Sequence, residues 1–279
     1  MTSMTGQPSG SPLAVPAAWD LVAGDYAAEL VPFFERFAEA ALNLAQVGAE
    51  ARIVDVAAGP GTLSFLAASR GALVSALDFS DEMLGRLKER AARENEQRIE
   101  ATLGDGQALP YADASFDAGF SMFGLMFFPD RNRGFKELAR VLRPKAPAVV
   151  ASWISMERIP LMVALFSTLM ELVPGASGPP MPAVSLPLVE PEACVREMSE
   201  GGFAEVAVHE VVGEVNAAST RELVSFFART NAPVVLRKRA LGPAWAQVEE
   251  QLIERLEQRF GAGPQQLLMP ANLIFGLKA

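Results

Sequence analysis

The sequence predicts an α/β protein with a mostly parallel sheet, and two observations carry this prediction. Between Arg52 and Trp153, short apolar runs alternate with segments of helical periodicity, which is typical of parallel strands joined by right-handed crossovers. In addition, 50% of the 279 residues are hydrophobic and the mean hydropathy is +0.20, so the chain can bury a substantial core.

The elements can be assigned in order along the chain. Apolar residues between Trp19 and Leu44 recur at helical spacing and predict one or two amphipathic helices ahead of the first strand. The strand-like runs that follow are RIVDVAA, ALVSALDF, IEATLGD, FDAGFSMFGL and APAVVASW, and the predicted helices between them span 62–69, 80–95 and 132–141. The segments GFAEVAVHEVVGEV and ANLIFGLKA predict two further strands near the end of the chain.

We divide the chain into a tail, a core with lid helices, a cap and closing strands. The opening residues lack the basic and apolar segments of a secretory signal. A long Pro- and Gly-rich loop follows a Met-, Leu- and Phe-rich helix, and an α/β core does not need such a loop. The predicted regions are 1–18 for a flexible tail, 19–153 for the lid helices and core, 154–200 and 217–268 for the cap or substrate-binding insertions, and 201–216 and 269–279 for the closing strands.

Charge and composition restrict the partners that we expect. Thirty-three acidic and 24 basic residues give a net charge of -9, which repels a phosphate backbone, so we expect no nucleic-acid partner. The apolar run IPLMVALFSTLMELVP is too short to span a bilayer and contains Glu171, so we expect no stable membrane insertion. Cys194 and His209 each stand alone, which excludes a disulfide within the chain, and we expect no catalytic metal. We expect a cytoplasmic monomer or homodimer that acts on a small molecule.

A turn of small residues follows the first predicted strand and indicates a ligand. Ala57, Gly59 and Gly61 let a ligand approach the backbone N–H groups where the next helix begins. A dinucleotide fingerprint has a third glycine, but Ser64 stands in that place. A nicotinamide cofactor is therefore possible but disfavoured.

Acidic residues follow the next two predicted strands. Asp78 ends the second strand at the spacing of an acid that accepts hydrogen bonds from ribose hydroxyls, although it could instead cap the helix that begins near Ser80. Asp105 ends the third run and precedes Gly106 and Gln107. An aspartate there can accept a hydrogen bond from an adenine amino group.

Together these motifs resemble the class I S-adenosylmethionine-dependent methyltransferases, and more narrowly their small-molecule group that includes the quinone-biosynthesis enzymes. The resemblance covers about residues 53–153 and implies a Rossmann-like sheet, mostly parallel with an antiparallel last strand, helices on both faces and a helical cap. The implied cofactor is S-adenosylmethionine, with S-adenosylhomocysteine as product. Two departures are Ala57 for the first glycine, and Lys145 and Ala146 for the glycines before the fifth strand.

The resemblance also implies roles for individual residues. Asp55 orients the methionine amino group, Asp78 takes the ribose hydroxyls and Asp105 reads the adenine edge, while two apolar side chains sandwich the adenine ring. The implied cofactor-binding residues are Asp55, Ala57, Gly59, Gly61, Asp78, Phe79, Met83, Gly104, Asp105, Gly106, Gln107 and Ser121.

The acceptor side is predicted to be apolar. Its candidate residues are Tyr26, Phe123, Met126, Phe127 and Trp153, each of which could instead be plain core. Tyr26 could act as a base, as a hydrogen-bond donor or only by packing, and no other catalytic residue is identified. The helical stripe that includes Met156, Met162 and Phe166 is first a core or cap feature and second a substrate wall.

We therefore predict methyl transfer to a small, partly hydrophobic O-, N- or C-acceptor in specialised metabolism. The reaction is an in-line displacement that relies on proximity and desolvation. Two alternatives stay open. One is a methyltransferase-like fold that binds S-adenosylmethionine or S-adenosylhomocysteine for non-methylating chemistry or as a structural element, and the other is a quinone-precursor C-methyltransferase.

Overall fold

A computed structural model describes residues 12–173 and 187–279. The strands are β1 Arg52–Val56, β2 Leu73–Asp78, β3 Ile99–Leu103, β4 Ala118–Met122, β5 Pro147–Trp153, β6 Phe203–Ala217 and β7 Gln265–Lys278. The α-helices are α1 Pro16–Asp20, α2 Ala23–Asp25, α3 Val31–Leu44, α4 Thr62–Ser69, α5 Asp81–Glu94, α6 Arg131–Val141, α7 Pro160–Leu172, α8 Pro191–Glu200, α9 Thr220–Thr230, α10 Ala232–Leu241 and α11 Trp245–Phe260. A π-helical segment, Tyr26–Leu30, joins α2 to α3.

The sheet has the order β3-β2-β1-β4-β5-β7-β6. Strands β1 to β5 are parallel, β7 is antiparallel to β5, and β6 is antiparallel to β7. The predicted sheet, with its antiparallel end, is therefore confirmed. The strand order reverses between β1 and β4, and a crevice opens beyond the carboxyl ends of the strands at such a point.

Helices cover both faces of the sheet and bury two apolar clusters. On one face, Phe37 of α3 and Leu63 of α4 pack with Phe120 of β4. On the other face, Phe135 of α6 packs with Met198 of α8. Both faces of the inner parallel strands β1, β4 and β5 are therefore buried, which explains their largely apolar sequences.

Helix α8 differs from the expectation that residues 154–200 form a cap. Cys194 and Met198 on this helix are fully buried in the same cluster as Phe135. In addition, Arg131 of α6 pairs with Glu197 of α8 at 2.9 Å between Nε and Oε2. Helix α8 therefore belongs to the core layer, because its apolar face meets α6 and the sheet.

The cap consists of α7, α9 and α11 together with the far ends of β6 and β7. Its apolar cluster includes Leu165 of α7, Leu223 of α9 and Leu252 of α11, and Ala217 and Leu267 of the two strands join it. Strands β6 and β7 lie at the predicted closing strands 201–216 and 269–279, but β7 begins earlier, at Gln265. The long β6–β7 ladder therefore leaves the sheet and carries the cap.

The N-terminal part also differs from the predicted flexible tail 1–18. Residues 12–18 lie in a short 3-10 helix and in α1, and Ala18 is buried. The indole Nε1–H of Trp19 donates to the carbonyl of Leu13 at 2.9 Å. The rest of that tail and the Pro- and Gly-rich loop from Pro174 to residue 186 lie outside the described residues.

The turn before β5 accommodates the departure at Lys145. This residue has a left-handed φ of +63°, the conformation that a glycine adopts without strain. Its backbone N–H donates to the carbonyl of Lys278 at 3.0 Å, which fixes the turn to the end of β7.

Across the described ranges, every helix is too short or too polar to cross a lipid bilayer.

Candidate cofactor and acceptor site

A cavity of about 260 Å³ lies where the sheet order reverses. The turns after β1 and β4 and the end of β2 form its floor, whereas the N-terminal segment and the cap form its other walls. It is the kind of concave, mostly apolar site that binds small molecules.

The turn after β1 forces three residues into left-handed conformations. The φ angles are +58° at Ala57, +56° at Gly59 and +87° at Gly61. A Cβ added to Gly59 would meet no atom within 4 Å, so the backbone of Gly59 borders open space in the cavity. This gap is wide enough for a ligand to reach the backbone directly.

Asp78 links the end of β2 to this turn. Its Oδ2 accepts from the N–H of Gly59 at 2.8 Å, and its Oδ1 accepts from the N–H of Ser80 at 2.9 Å. Burial raises the pKa of Asp78, and the backbone hydrogen bonds oppose that rise. Each carboxylate oxygen can accept a second hydrogen bond, and Asp78 lines the cavity.

The alternative that Asp78 caps α5 is wrong. Ser80 is the N-cap residue, because its Oγ accepts from the N–H of Met83 at 3.1 Å. Its hydroxyl also donates to Asp20 at 2.5 Å between Oγ and Oδ1, and this bond ties the N-terminal segment to the start of α5. Asp78 therefore keeps its remaining acceptor capacity for the cavity.

Asp55 is buried beside the turn and half satisfied. Its Oδ2 accepts from the Ser64 hydroxyl at 2.7 Å, while its buried Oδ1 has no partner among the described residues. Burial raises the pKa of Asp55 to about 7, against the effect of the Ser64 hydrogen bond. Because Asp55 lines the cavity, a cationic group of a ligand would satisfy this oxygen.

The loop after β3 provides a polar edge. Oδ1 of Asp105 accepts from the backbone N–H of Gln107 at 2.8 Å and from its side-chain amide at 3.0 Å. A Cβ on Gly106 would lie 2.4 Å from Cζ of Phe128, so close packing requires glycine there. These three loop residues and Gly104 line the cavity.

The turn after β4 holds a strained aromatic residue. Phe123 has a φ of +61°, which is costly for a side chain of this size, and such strain clusters at functional sites. Its ring lies 4.3 Å from that of Trp153 and meets the edge of Phe37 at 5.2 Å. At the next residue, a Cβ on Gly124 would lie 2.3 Å from Cβ of Ala57, so the turns after β1 and β4 are in contact.

Aromatic and methionine side chains form the wall opposite the glycine turn. Tyr26 stacks on Phe34 with ring centroids 5.5 Å apart, and Trp19 packs on Phe127 at 5.4 Å. Burial, with a smaller contribution from the charge of Asp78, raises the pKa of Tyr26, so its hydroxyl stays protonated at neutral pH. The cap adds Met156, Met162, Phe166, Phe226, Phe227 and Met269 to this wall.

Most of the predicted site residues line one cavity, and three do not. Gly61 instead makes room for α5, because a Cβ there would lie 2.9 Å from Cδ1 of Leu87. Ser121 is buried, and its Oγ accepts from the N–H of Leu125 at 3.1 Å, which shapes the turn after β4. Met126 is 1% exposed and packs into the core cluster on the other face of the sheet. Burial against the protein itself removes all three from the cavity.

Sequence reasoning missed several lining residues. Phe33 and Phe34 on α3 and the adjacent Phe226 and Phe227 on α9 face the cavity, as does Met269 of β7. Paired aromatic residues at the start or middle of amphipathic helices were the available signal, but the helical period alone does not tell a core face from a ligand-facing one. In the described part of the chain, no three His, Cys, Asp or Glu residues are placed to hold a metal ion, and His209 is exposed on β6.

Comparisons with known proteins agree with this geometry. A family model described as a methyltransferase domain matches residues 54–150. An uncharacterized protein of Mycobacterium tuberculosis is 38% identical over 137 residues, which are 49% of this chain and 49% of that protein. A demethylmenaquinone methyltransferase of Clavibacter sepedonicus is 40% identical over 111 residues, which are 40% of this chain and 44% of that enzyme. The chain thus spans about half the length of the curated relatives it matches.

A solved structure extends the fold comparison to nearly the whole chain. The cyclase SpnF superposes with a TM-score of 0.62 at 17% identity, covering 98% of this chain and 99% of that one. At this identity the likeness shows the fold and nothing of the reaction.

Residues 54–150 therefore match the model of a methyltransferase domain, and the predicted resemblance to the methyltransferases is confirmed. The cofactor that this family indicates is S-adenosylmethionine. The site fits it, because the unpaired Oδ1 of Asp55 suits an ammonium group, the open backbone at Gly59 suits close approach, and Asp78 has free acceptor capacity.

Proposed function

We propose that the protein transfers the methyl group of S-adenosylmethionine to a small, partly hydrophobic acceptor. The observation that carries this proposal is the continuity of the cavity, in which Asp55, Gly59 and Asp78 share one space with the aromatic and methionine wall. A cofactor and an acceptor can therefore meet without water between them, and methyl transfer requires such alignment.

The cofactor residues divide the work by charge and shape. Asp78 accepts hydrogen bonds from the ribose hydroxyls, and Asp55 holds the ammonium group. Asp105 reads the adenine edge, while Phe79 and Met83 cover the ring faces. When bound, S-adenosylmethionine supplies an electrophilic methyl group on a positively charged sulfur.

The remaining wall positions the acceptor and excludes water. Phe123 and Trp153 present packed ring faces beside the glycine turn, so they restrict how a flat acceptor can lie. Tyr26, whose raised pKa keeps it protonated, acts as a hydrogen-bond donor to the acceptor or cofactor rather than as a base. Catalysis then rests on proximity and desolvation.

The direct test is methyl transfer from labelled S-adenosylmethionine. The purified protein is incubated with methyl-tritiated cofactor and a panel of phenols, amines and activated carbon acids, and products are separated and identified by mass spectrometry. Equimolar methylated product and S-adenosylhomocysteine support the proposal, and the same reaction with Asp78→Ala is the control. Tight cofactor binding without transfer to any acceptor contradicts it and favours a non-methylating role on this fold.

A quinone precursor is the second candidate acceptor. The match to a demethylmenaquinone methyltransferase favours it, as does the apolar wall, which suits a ring with a hydrocarbon tail. Carbon methylation of a naphthoquinol carrying an isoprenoid chain, faster than methylation of the same ring without the chain, supports this candidate. Equal rates contradict it.

The localisation, oligomeric state and partners of the protein are part of the same proposal. We place the protein in the cytoplasm, as a monomer or homodimer, and without a nucleic-acid partner. The net charge of -9 supports the last point because it opposes binding to a phosphate backbone. Sedimentation analysis with and without a DNA duplex tests both the oligomeric state and the expectation that the protein does not bind nucleic acid.

A further inference from the structure

The cavity contains no positive side chain that could hold an anion. Among the described residues no Lys, Arg or His lines it, whereas Asp55, Asp78 and Asp105 do. Residues 1–11 and 174–186, which lie outside the described part, contain no Lys, Arg or His in their sequence. Those segments therefore bring no basic side chain to the cavity either.

Two arginines on α9 and α10, Arg229 and Arg237, do not line the cavity. Arg229 on α9 is paired with Glu29 through two contacts of 2.7 and 2.8 Å. Arg237 on α10 is buried and does not line the cavity; its Nη1 donates to the carbonyl of Val173 at 3.4 Å, and its Nε has no partner among the described residues. An anionic group of an acceptor at the aromatic and methionine wall would therefore lose its hydration without gaining a cationic side chain as a partner.

The wall instead favours uncharged rings. Phe34 and Trp153 present ring faces, and Met162 and Phe166 lie one helical turn apart on α7, both buried. Aromatic and thioether side chains bind flat rings through stacking and sulfur contacts. The same wall gives a carboxylate or phosphate only uncharged hydrogen-bond donors, such as the Tyr26 hydroxyl and the Trp153 indole N–H, in return for its lost water.

We infer that this protein selects its acceptor by charge, taking uncharged ring-shaped molecules and rejecting ring molecules that carry a carboxylate or phosphate. This inference rests on the proposed function, since it names the acceptor class of the same cavity. Met162 is the position at which the selection can be reversed, because it lies on the acceptor wall and is long enough to be replaced by lysine with little change in volume.

The test is a pair of probes that differ in one charge. Calorimetry measures binding of 2-naphthol and of 2-naphthoate, at neutral pH, to protein saturated with S-adenosylhomocysteine. We expect 2-naphthol to bind at least about tenfold more tightly. Equal or tighter binding of 2-naphthoate overturns the inference, and so does the absence of binding by either probe.

A variant tests whether charge is the cause. Met162→Lys is expected to shift the ratio of the two affinities by at least about tenfold toward 2-naphthoate, whereas the matched Met162→Leu keeps the wild-type preference. An unchanged ratio in a folded Met162→Lys protein overturns the inference. Phe166→Lys serves the same purpose if thermal unfolding shows that Met162→Lys does not fold.

The design also separates this inference from the proposed function. Binding of S-adenosylhomocysteine is measured first and on its own. If the product does not bind, the proposed function fails, and the two naphthalene probes titrated into the protein alone still decide the charge selection. If the product binds and 2-naphthoate is preferred, the charge selection alone fails.

Discussion

The carboxylate of Asp78 accepts a hydrogen bond from the backbone N–H of Gly59 across 2.8 Å. This bond joins the end of β2 to the turn after β1, so the two parts of the predicted cofactor site hold each other in place. A partly buried, charge-assisted hydrogen bond of this kind is among the stronger polar interactions in a protein. Asp78 is therefore expected to matter both for cofactor affinity and for the shape of the turn.

Replacing Asp78 tests its predicted contact with ribose. Asp78→Ala is expected to weaken binding of S-adenosylhomocysteine by about 1–3 kcal/mol, because it removes a charged acceptor from the cavity. Asp81→Ala is the matched control, since Asp81 lies three residues further on, is exposed, and does not line the cavity. Calorimetry on both variants measures the effect, and unchanged affinity in a folded Asp78→Ala protein would contradict the role.

The contact between Ala57 and Gly124 predicts a strong coupling. Gly124→Ala is expected to destabilise the protein by about 1–3 kcal/mol, because its Cβ would lie 2.3 Å from Cβ of Ala57. Ala57→Gly alone is expected to be neutral or to stabilise by up to about 1 kcal/mol, because it relieves the left-handed strain at φ +58°.

The double variant then decides whether the two turns are in contact. In the Ala57→Gly background, Gly124→Ala is expected to cost less than about 1 kcal/mol, since the clashing atom is gone. Urea unfolding of the two single variants and the double variant measures this difference. Additive free energies of unfolding would show that the two turns do not touch as described.

Asp55 predicts a pH dependence of stability. Its folded pKa of about 7 lies above the value of about 3.9 in an unfolded chain, so the folded state holds the proton more tightly. The free energy of unfolding should therefore fall as the pH rises from about 4 to about 7 and level off above that range. Asp55→Asn is expected to lose this part of the slope, which urea unfolding between about pH 5 and pH 8 measures. A variant with the same slope as the wild type would contradict the assignment.

The ion pair between Glu29 and Arg229 joins the N-terminal segment to the cap, which form two walls of the cavity. Glu29 lies in the Tyr26–Leu30 segment and Arg229 on α9, and both elements contribute lining residues. Arg229→Met is expected to speed dissociation of S-adenosylhomocysteine about two- to fivefold, because a partly exposed ion pair contributes at most about 1 kcal/mol.

A second arginine on the same helix provides the control. Arg221 pairs with Glu250 of α11 at 2.6 and 2.9 Å and does not line the cavity. Stopped-flow tryptophan fluorescence of both variants reports dissociation, since Trp19 and Trp153 line the cavity. Equal acceleration by Arg221→Met would mean that the Glu29–Arg229 ion pair does not slow dissociation of S-adenosylhomocysteine.

Local sequence patterns predicted the central fold because they are imposed by local physics. The helix 62–69 and the strands on either side of it were predicted within a residue or two, since buried parallel strands are continuously apolar and glycine or serine marks the helix starts. The cavity residues Asp55, Gly59 and Asp78 were predicted because strand ends of a parallel sheet meet at one edge.

Features that depend on distant packing could not be predicted. Helix α8 has an amphipathic pattern that suits a cap as well as a core, and only its contact with α6 decides between them. Gly61 and Met126 do not line the cavity for the same reason. Leu87 packs against Gly61, and the side chain of Met126 lies in the apolar core. The helical turns at residues 12–18 have a loop-like composition and depend on contacts such as that of Trp19 with Leu13.

The cavity is expected to bind S-adenosylmethionine beside the aromatic and methionine wall that faces the acceptor. The most direct measurement is a calorimetric titration of the purified protein with S-adenosylmethionine, S-adenosylhomocysteine and, for comparison, NAD. We predict micromolar binding of the first two with a stoichiometry of one per chain and no binding of NAD, because the turn lacks the third glycine of a dinucleotide site. Binding of NAD without binding of either sulfur compound would show that the cavity is not an S-adenosylmethionine site.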